Sequence, residues 1–79
     1  MEIRLNHVAK NMTELTIGHV RMYFSYQTCV AFAAHDETFR RESTYSKTTA
    51  GHMNKFGVKG WPIVSDAMFE AALSAALAR

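Results

Sequence analysis

The sequence is poor in the devices that usually stabilise very small proteins. Cys29 is its single cysteine among 79 residues, which excludes an internal disulfide framework and leaves no Cys/His cluster for structural zinc. A lone cysteine in an apolar stretch fits a reducing cytoplasm, and Cys29 reads as a small buried hydrophobe rather than a reactive thiol. No apolar run approaches the roughly 20 residues of a membrane span. Met1 to Val8 alternates apolar with polar residues where a secretory signal would need a continuous apolar core. Charge of one sign is scarce too. Nine Lys/Arg against seven Asp/Glu leave a formal +2, too little to imply nucleic acid by itself. Internal repeats and low-complexity tracts are missing, and the alanine-rich end is explained by helical periodicity. What remains is one domain, 1–79, of a size that buries only about 60% of its unfolded surface.

The residues that are present concentrate in Val20 to Ala34. Two runs of β-branched, aromatic and small apolar residues flank a polar break, Ser25 to Thr28. That is the pattern of an antiparallel hairpin. Val20, Met22 and Phe24 alternate with Arg21, Tyr23 and Ser25, and the first set belongs to the core. On the return strand two sets compete, Val30, Phe32 and Ala34 against Cys29, Ala31 and Ala33, and register decides. Tyr26-Gln27 lacks the Asn/Gly chemistry of a tight turn, which favours an odd-length loop. Val30 and Phe32 then share the face of Met22. Arg21, Tyr23, Ala31 and Ala33 take the outer face, with Cys29 beside them.

Around this hairpin the spacing predicts strands at about 2–8, 14–17, 19–25, 28–35 and 38–43, with turns at Lys10 to Thr13 and at His35 to Glu37. The period then changes. Ser46 is a good N-cap for a helix over 47–56, with Thr49, Met53 and Phe56 on one face and Gly57 where a left-handed residue ends it. Val58 to Val64, with Gly60 and Pro62, reads as a connection. Ser65 caps a second helix over 66–78, with Phe69, Ala72, Leu73, Ala76 and Leu77 at helical spacing. Val64 and Phe69 stand at hydrophobic-staple positions. Asp66 and Glu70 near the start and Arg79 at the end suit the helix dipole. The expected fold is α+β: an antiparallel meander of three to four strands covered on one face by two C-terminal helices.

Chemistry is sparse. His7, His19, His35 and His52 stand far apart, share no helix face and have no cysteine at ligand spacing, so no metal site is expected. Cys29 and His35 share strand parity but lie about 20 Å apart along extended chain. Asp36-Glu37 sits in a turn, where a solvated loop is the plainer reading. Gly57-Val58-Lys59-Gly60 does not follow a strand and matches no phosphate loop. No catalytic residue, metal or cofactor is expected, and the chain does not read as an enzyme. Arg40, Arg41, Lys47, Lys55 and Lys59, with Tyr45 and Trp61, form a basic-aromatic patch that could meet phosphate and stack on bases. The plainer reading is a solvated edge with Trp61 partly buried.

Two strings carry a resemblance. Phe24-Ser25-Tyr26, one residue, Thr28, one residue, Val30-Ala31-Phe32 is followed by Ser46, one residue, Thr48-Thr49, two residues and His52. The combination resembles a family of small phage-encoded proteins without an assigned activity, over about Val20 to Phe56 and the helical end. Where that family often has proline, this chain has Cys29. A free-standing phage protein of this size is similar to the anti-CRISPR proteins. The resemblance implies a stoichiometric inhibitor in the bacterial host cytoplasm. It would bind a type I CRISPR surveillance complex (Cascade), subtype I-C in particular, and block target DNA binding. It would do so as a monomer or weak homodimer, without membrane or strong nucleic-acid contact. The near-neutral charge argues against a DNA mimic. A mixed contact patch with Tyr and Arg anchors is expected instead: Arg21 and Tyr23 on the outer face, Arg40 and Arg41 on the next strand, with Asp36 and Glu37 set to meet basic groups. The competing reading is a small nucleic-acid-binding or regulatory protein using the basic-aromatic patch. A third is an accessory subunit of another phage assembly.

Overall fold

The computed structural model describes residues 2–42 and 47–78, with backbone alone over 47–50. Its elements are strands β1 (Ile3–Ala9), β2 (Met12–Ile17), β3 (Val20–Ser25), β4 (Thr28–Ala34) and β5 (Glu37–Arg41), helix α1 (Lys47–Phe56), strand β6 (Ile63–Val64) and helix α2 (Asp66–Ala78). The α+β class expected from the sequence holds. The sheet is larger than expected, six strands in the order β1 to β6. Neighbours run antiparallel up to β5, and β6 joins β5 in parallel. β6 escapes sequence reading because it is two residues long and follows Pro62. Proline cannot donate to a ladder, but its carbonyl accepts Arg40 N–H at 2.9 Å.

Two-residue turns close the successive hairpins: Lys10-Asn11, Gly18-His19, Tyr26-Gln27 and His35-Asp36. Asn11, Gly18, Tyr26, His35 and Asp36 all take positive φ there. Positive φ at both central residues, as at His35-Asp36, is the turn geometry whose twist matches that of paired strands. The expected odd loop at Tyr26-Gln27 is therefore wrong, since Ser25 pairs with Thr28 and Phe24 with Cys29. The ladder then slips, and Tyr23 pairs with Ala31 and Met22 with Phe32. Val30 is the extra residue of a β-bulge. The bulge restores the expected facing of Val20, Met22, Phe32 and Ala34, but it moves two residues. Cys29 joins Met22 and Phe32, and Val30 joins Tyr23 and Ala31 on the reverse face.

The largest correction concerns the helices. They do not share a face of the sheet. From α2, Phe69, Leu73 and Ala76 pack on Val20, Met22, Phe32 and Ala34. From α1 and its exit, Met53 and Val58 pack on Tyr23, Val30 and Ala31. The sheet is the middle of three layers, because the odd-numbered side of its centre is apolar as well. Burying a side chain such as Phe69 or Met53 contributes about 1.5–3 kcal/mol, so each helix has its own reason to stay docked.

Local signals for the helix ends are met where they are described. Ser65 Oγ accepts the amide of Met68 at 3.2 Å as the N-cap of α2. Gly57, at φ 78°, ends α1. Val58 N–H bonds to Met53 O and Gly57 N–H to Asn54 O, both at 3.1 Å. That pair of bonds is the Schellman motif, with Val58 and Met53 supplying its hydrophobic contact. The expected cap Ser46, the strand end at Ser43, Tyr45, the side chain of Thr49 and Arg79 lie outside the described residues. Among the described residues no helix is long and apolar enough to cross a membrane.

Candidate functional site

Three of the six residues nominated for partner contact are internal. Tyr23 is 9% exposed. Its ring meets Phe56 and Trp61 edge-on, at centroid distances of 5.0 and 5.6 Å. It is enclosed because α1 covers the face on which Tyr23 was expected to be free. Arg40 lies on that same face, opposite Ala31, and donates from Nη1 to Lys59 O at 2.9 Å. Its buried Nε has no hydrogen-bond partner among the described residues. Arg41 is on the α2 side, 5% exposed. Its guanidinium stands 4.4 Å above the Phe69 ring and bonds to Cys29 O and to Glu70. Asp66 is 3.9 Å away. All three side chains are therefore unavailable to a partner.

The other three come together. Arg21, Asp36 and Glu37 line an open cleft of about 610 Å³, with Thr16, His19, Ala33, His35 and Thr38. The register explains the grouping: Thr16 pairs with Arg21, Arg21 with Ala33 and Ala33 with Thr38, one row across β2 to β5. This row shares the face of Tyr23 but lies nearer the turns, past the part that α1 covers. The turns Gly18-His19 and His35-Asp36 rise at the same end of the sheet, and the rings of His19 and His35 sit 5.8 Å apart. Sequence reading missed this juxtaposition. Counting alternate turns of a meander would have put both histidines at one end.

The cleft carries both signs of charge. Arg21 Nε lies 3.3 Å from Glu14. The Tyr23 hydroxyl, by hydrogen bonding and by charge, and then Glu14 raise the pKa of Arg21 above its ordinary value, so it remains a cation. Asp36 is exposed in the β4–β5 turn beside it, whereas Glu37 opens β5 opposite Ala34, on the α2 side of the sheet, and borders the cleft from its rim. On the other side of the same turns Ile17, Val20, Ala76 and Leu77 line an apolar hollow of about 330 Å³, which shares Gly18, His19 and His35 with the cleft.

Other candidates lose their chemistry. Ser25 Oγ lies 2.7 Å from His52 Nδ1, the spacing of a nucleophile and its base, but both residues are buried and the pair ties α1 to β3. Cys29 is buried with Sγ toward Ala31 O at 3.4 Å. Burial first of all pushes its thiol up to about 11, far from the thiolate a nucleophile needs. His35 is at an exposed turn, away from it. Among the described residues no three His, Cys, Asp or Glu side chains could hold a metal ion. The basic-aromatic patch also dissolves. Arg40 and Arg41 point inward and Trp61 is half-buried against Tyr23, leaving Lys55 and Lys59 exposed. The side chain of Lys47 lies outside the described residues.

Residues 3–70 match a family of unknown function, DUF8033, and the chain belongs to that family. No curated protein matches the chain, and no solved structure does.

Proposed function

We propose that the domain works by binding another macromolecule stoichiometrically and not by catalysis, with the turn-end cleft as its contact surface. The observation that carries this reading is the convergence of Arg21, Asp36 and Glu37 around one open cleft beside His19 and His35. A rigid sheet presents these charged groups, and a partner bearing both signs would be oriented by them. The cleft's one cation, Arg21, is already paired with Glu14 and has Asp36 and Glu37 at the rim, so it is poorly suited to tracking a nucleic-acid backbone, which needs a run of positive groups. The inward turn of Arg40 and Arg41 weakens the nucleic-acid alternative further.

The narrower form of the proposal comes from the sequence resemblance: a phage inhibitor that binds a type I CRISPR surveillance complex and prevents target DNA binding. The test is a target-DNA shift assay with purified type I complexes of several subtypes, subtype I-C among them. Inhibition at one protein per complex, lost with Arg21→Glu and with Asp36→Lys plus Glu37→Lys, supports both the role and the surface. Unchanged DNA affinity in every subtype rejects the inhibitor role. Inhibition that survives those substitutions rejects the cleft.

A further inference from the structure

The sheet has two unlike edges. β6 is two residues long and follows Pro62. β1 runs for seven residues and is exposed nearly throughout. Gly18 N–H donates to Glu2 O at 2.8 Å, and Arg4 and Asn6 lie opposite Thr16 and Glu14 in the same register. Backbone groups alternate in direction along an antiparallel strand. Glu2, Arg4 and Asn6 therefore bond toward β2, and Ile3, Leu5 and His7 turn their N–H and C=O groups out to the open edge. The same residues carry the exposed apolar side chains. Ile3 sits beside Ile17 and Leu5 beside Leu15. Leu15 and Ile17 pack against the α2 core, while Ile3 and Leu5, one strand further out, are 66% and 72% exposed. A long exposed edge of this kind, without proline, is a template for strand addition.

We infer that a second copy of this chain occupies that edge, β1 against β1, antiparallel about a two-fold axis through Leu5. Symmetry and charge select this occupant and this register. The regular stretch of the edge ends at the irregularity between His7 and Ala9, so Ile3 to His7 pairs fully with itself only when Leu5 is the centre. Leu5 then faces Leu5 of the second copy, Ile3 faces His7, and Arg4 faces the neutral amide of Asn6. An axis through Arg4 would oppose two guanidinium groups, which is unfavourable. In the Leu5 register each Arg4 keeps its own ion pair with Glu2. The pairing adds about six backbone hydrogen bonds and joins Ile3, Leu5, Leu15 and Ile17 of both copies into one apolar row on the α2 side. The cleft of the proposed function lies on the other face and stays open, so the dimer presents two of them in fixed relation.

Sedimentation velocity on the full chain from about 1 µM to about 500 µM spans the affinities of a weak to moderate edge-paired dimer. The wild type is expected to shift from monomer to dimer across that range. Leu5→Pro removes an outward N–H and costs β1–β2 no bond; Leu5→Lys places a charge on the axis. Either is expected to leave a monomer at every concentration with the circular dichroism of the wild type, and Leu5→Lys decides if Leu5→Pro fails to fold. Leu5→Cys sets two thiols about 5.5 Å apart between Cα atoms and is expected to oxidise to a covalent dimer. Ile3→Cys, separated from its counterpart by about 13 Å, is expected to stay uncrosslinked. A monomer at all concentrations overturns the inference and leaves the edge to a strand of another protein. So does a dimer indifferent to Leu5→Lys, or one that cross-links through position 3. None of these results bears on the cleft, which is read through Arg21, Asp36 and Glu37.

Discussion

Arg41 Nε donates to the carbonyl of Cys29 at 2.7 Å, where the β4–β5 ladder has already ended at Ala31 and Arg40. Beyond the bulge at Val30, Cys29 still pairs with Phe24 of β3, but on the β5 side the ladder has ended and a side chain from that strand supplies the donor. The same guanidinium lies over Phe69 and bonds to Glu70, so one residue joins the bulge, β5 and α2. This gives Arg41 a structural task in place of the contact role suggested by its sequence position.

Arg41→Met is expected to destabilise the fold by about 2–3 kcal/mol, because a buried carbonyl loses a charged donor. Glu70 and Asp66 are substantially exposed, and the ion-pair part is discounted accordingly. Arg41→Lys should recover little, since an ammonium cannot reproduce the planar fork. Arg40→Met, which removes an unpartnered Nε along with one bond to Lys59 O, should stay within about 1 kcal/mol of wild type. Urea midpoints for the three variants check this; equal losses for Arg40→Met and Arg41→Met would refute the assignment.

Ser25 and His52 should behave as a coupled pair. Ser25→Ala and His52→Ala are each expected to cost about 1–3 kcal/mol, since each removes the buried hydrogen bond between them. The double variant should cost less than their sum. A double-mutant cycle by thermal unfolding tests the coupling, and strict additivity would mean that the 2.7 Å contact contributes nothing.

Alkaline pH should weaken the fold through Cys29. The unfolded thiol has an ordinary value of 9.0, and the folded one is pushed up to about 11 by burial. Below pH 9 both states hold the proton and stability is unaffected. Between pH 9 and 11 the unfolded state ionises first, so stability falls as pH rises, by about 2–3 kcal/mol in full. Cys29→Ala should remove that component from the pH profile. In the native protein at pH 8 a thiol reagent should label Cys29 only at the rate of opening; fast labelling would contradict its burial.

Tyr23→Ala should cost about 3–5 kcal/mol by opening a cavity between Phe56 and Trp61, whereas Arg21→Ala should change stability by less than about 1 kcal/mol. Any loss of partner binding in Arg21→Ala is then a surface effect, and a loss in Tyr23→Ala is not. Comparing binding with melting temperature for the two variants separates these causes.

Much of the fold was legible in local pattern. The alternation of Val20, Met22 and Phe24, the glycine after Phe56 and the serine before Asp66 each mark an element that the structure contains. Period and caps act over a few residues, and a sequence displays them directly. The side of the sheet taken by α1 was not legible. It depends on Val30 being squeezed out of the ladder, which no local residue pattern announces, and on Ser25 finding His52, 27 residues away. Of the cleft residues, Arg21, Asp36 and Glu37 were legible as exposed because charged residues at a turn and on an outer face stay outside. Tyr23, Arg40 and Arg41 were misplaced because aromatic and arginine side chains serve equally well in an interface and inside a core.

The order of the strands has a temporal meaning. From β1 to β5 each strand pairs with its immediate predecessor across a two-residue turn, so loop-closure entropy is small and the sheet can zip from any hairpin. Pairing β6 with β5 must wait for the chain to pass through α1 and return. In pulse-labelled exchange the amides of Arg40 and Glu42, which bond to Pro62 and Val64, should therefore gain protection last, and the molecule should assemble in nearly the order in which a ribosome would release it.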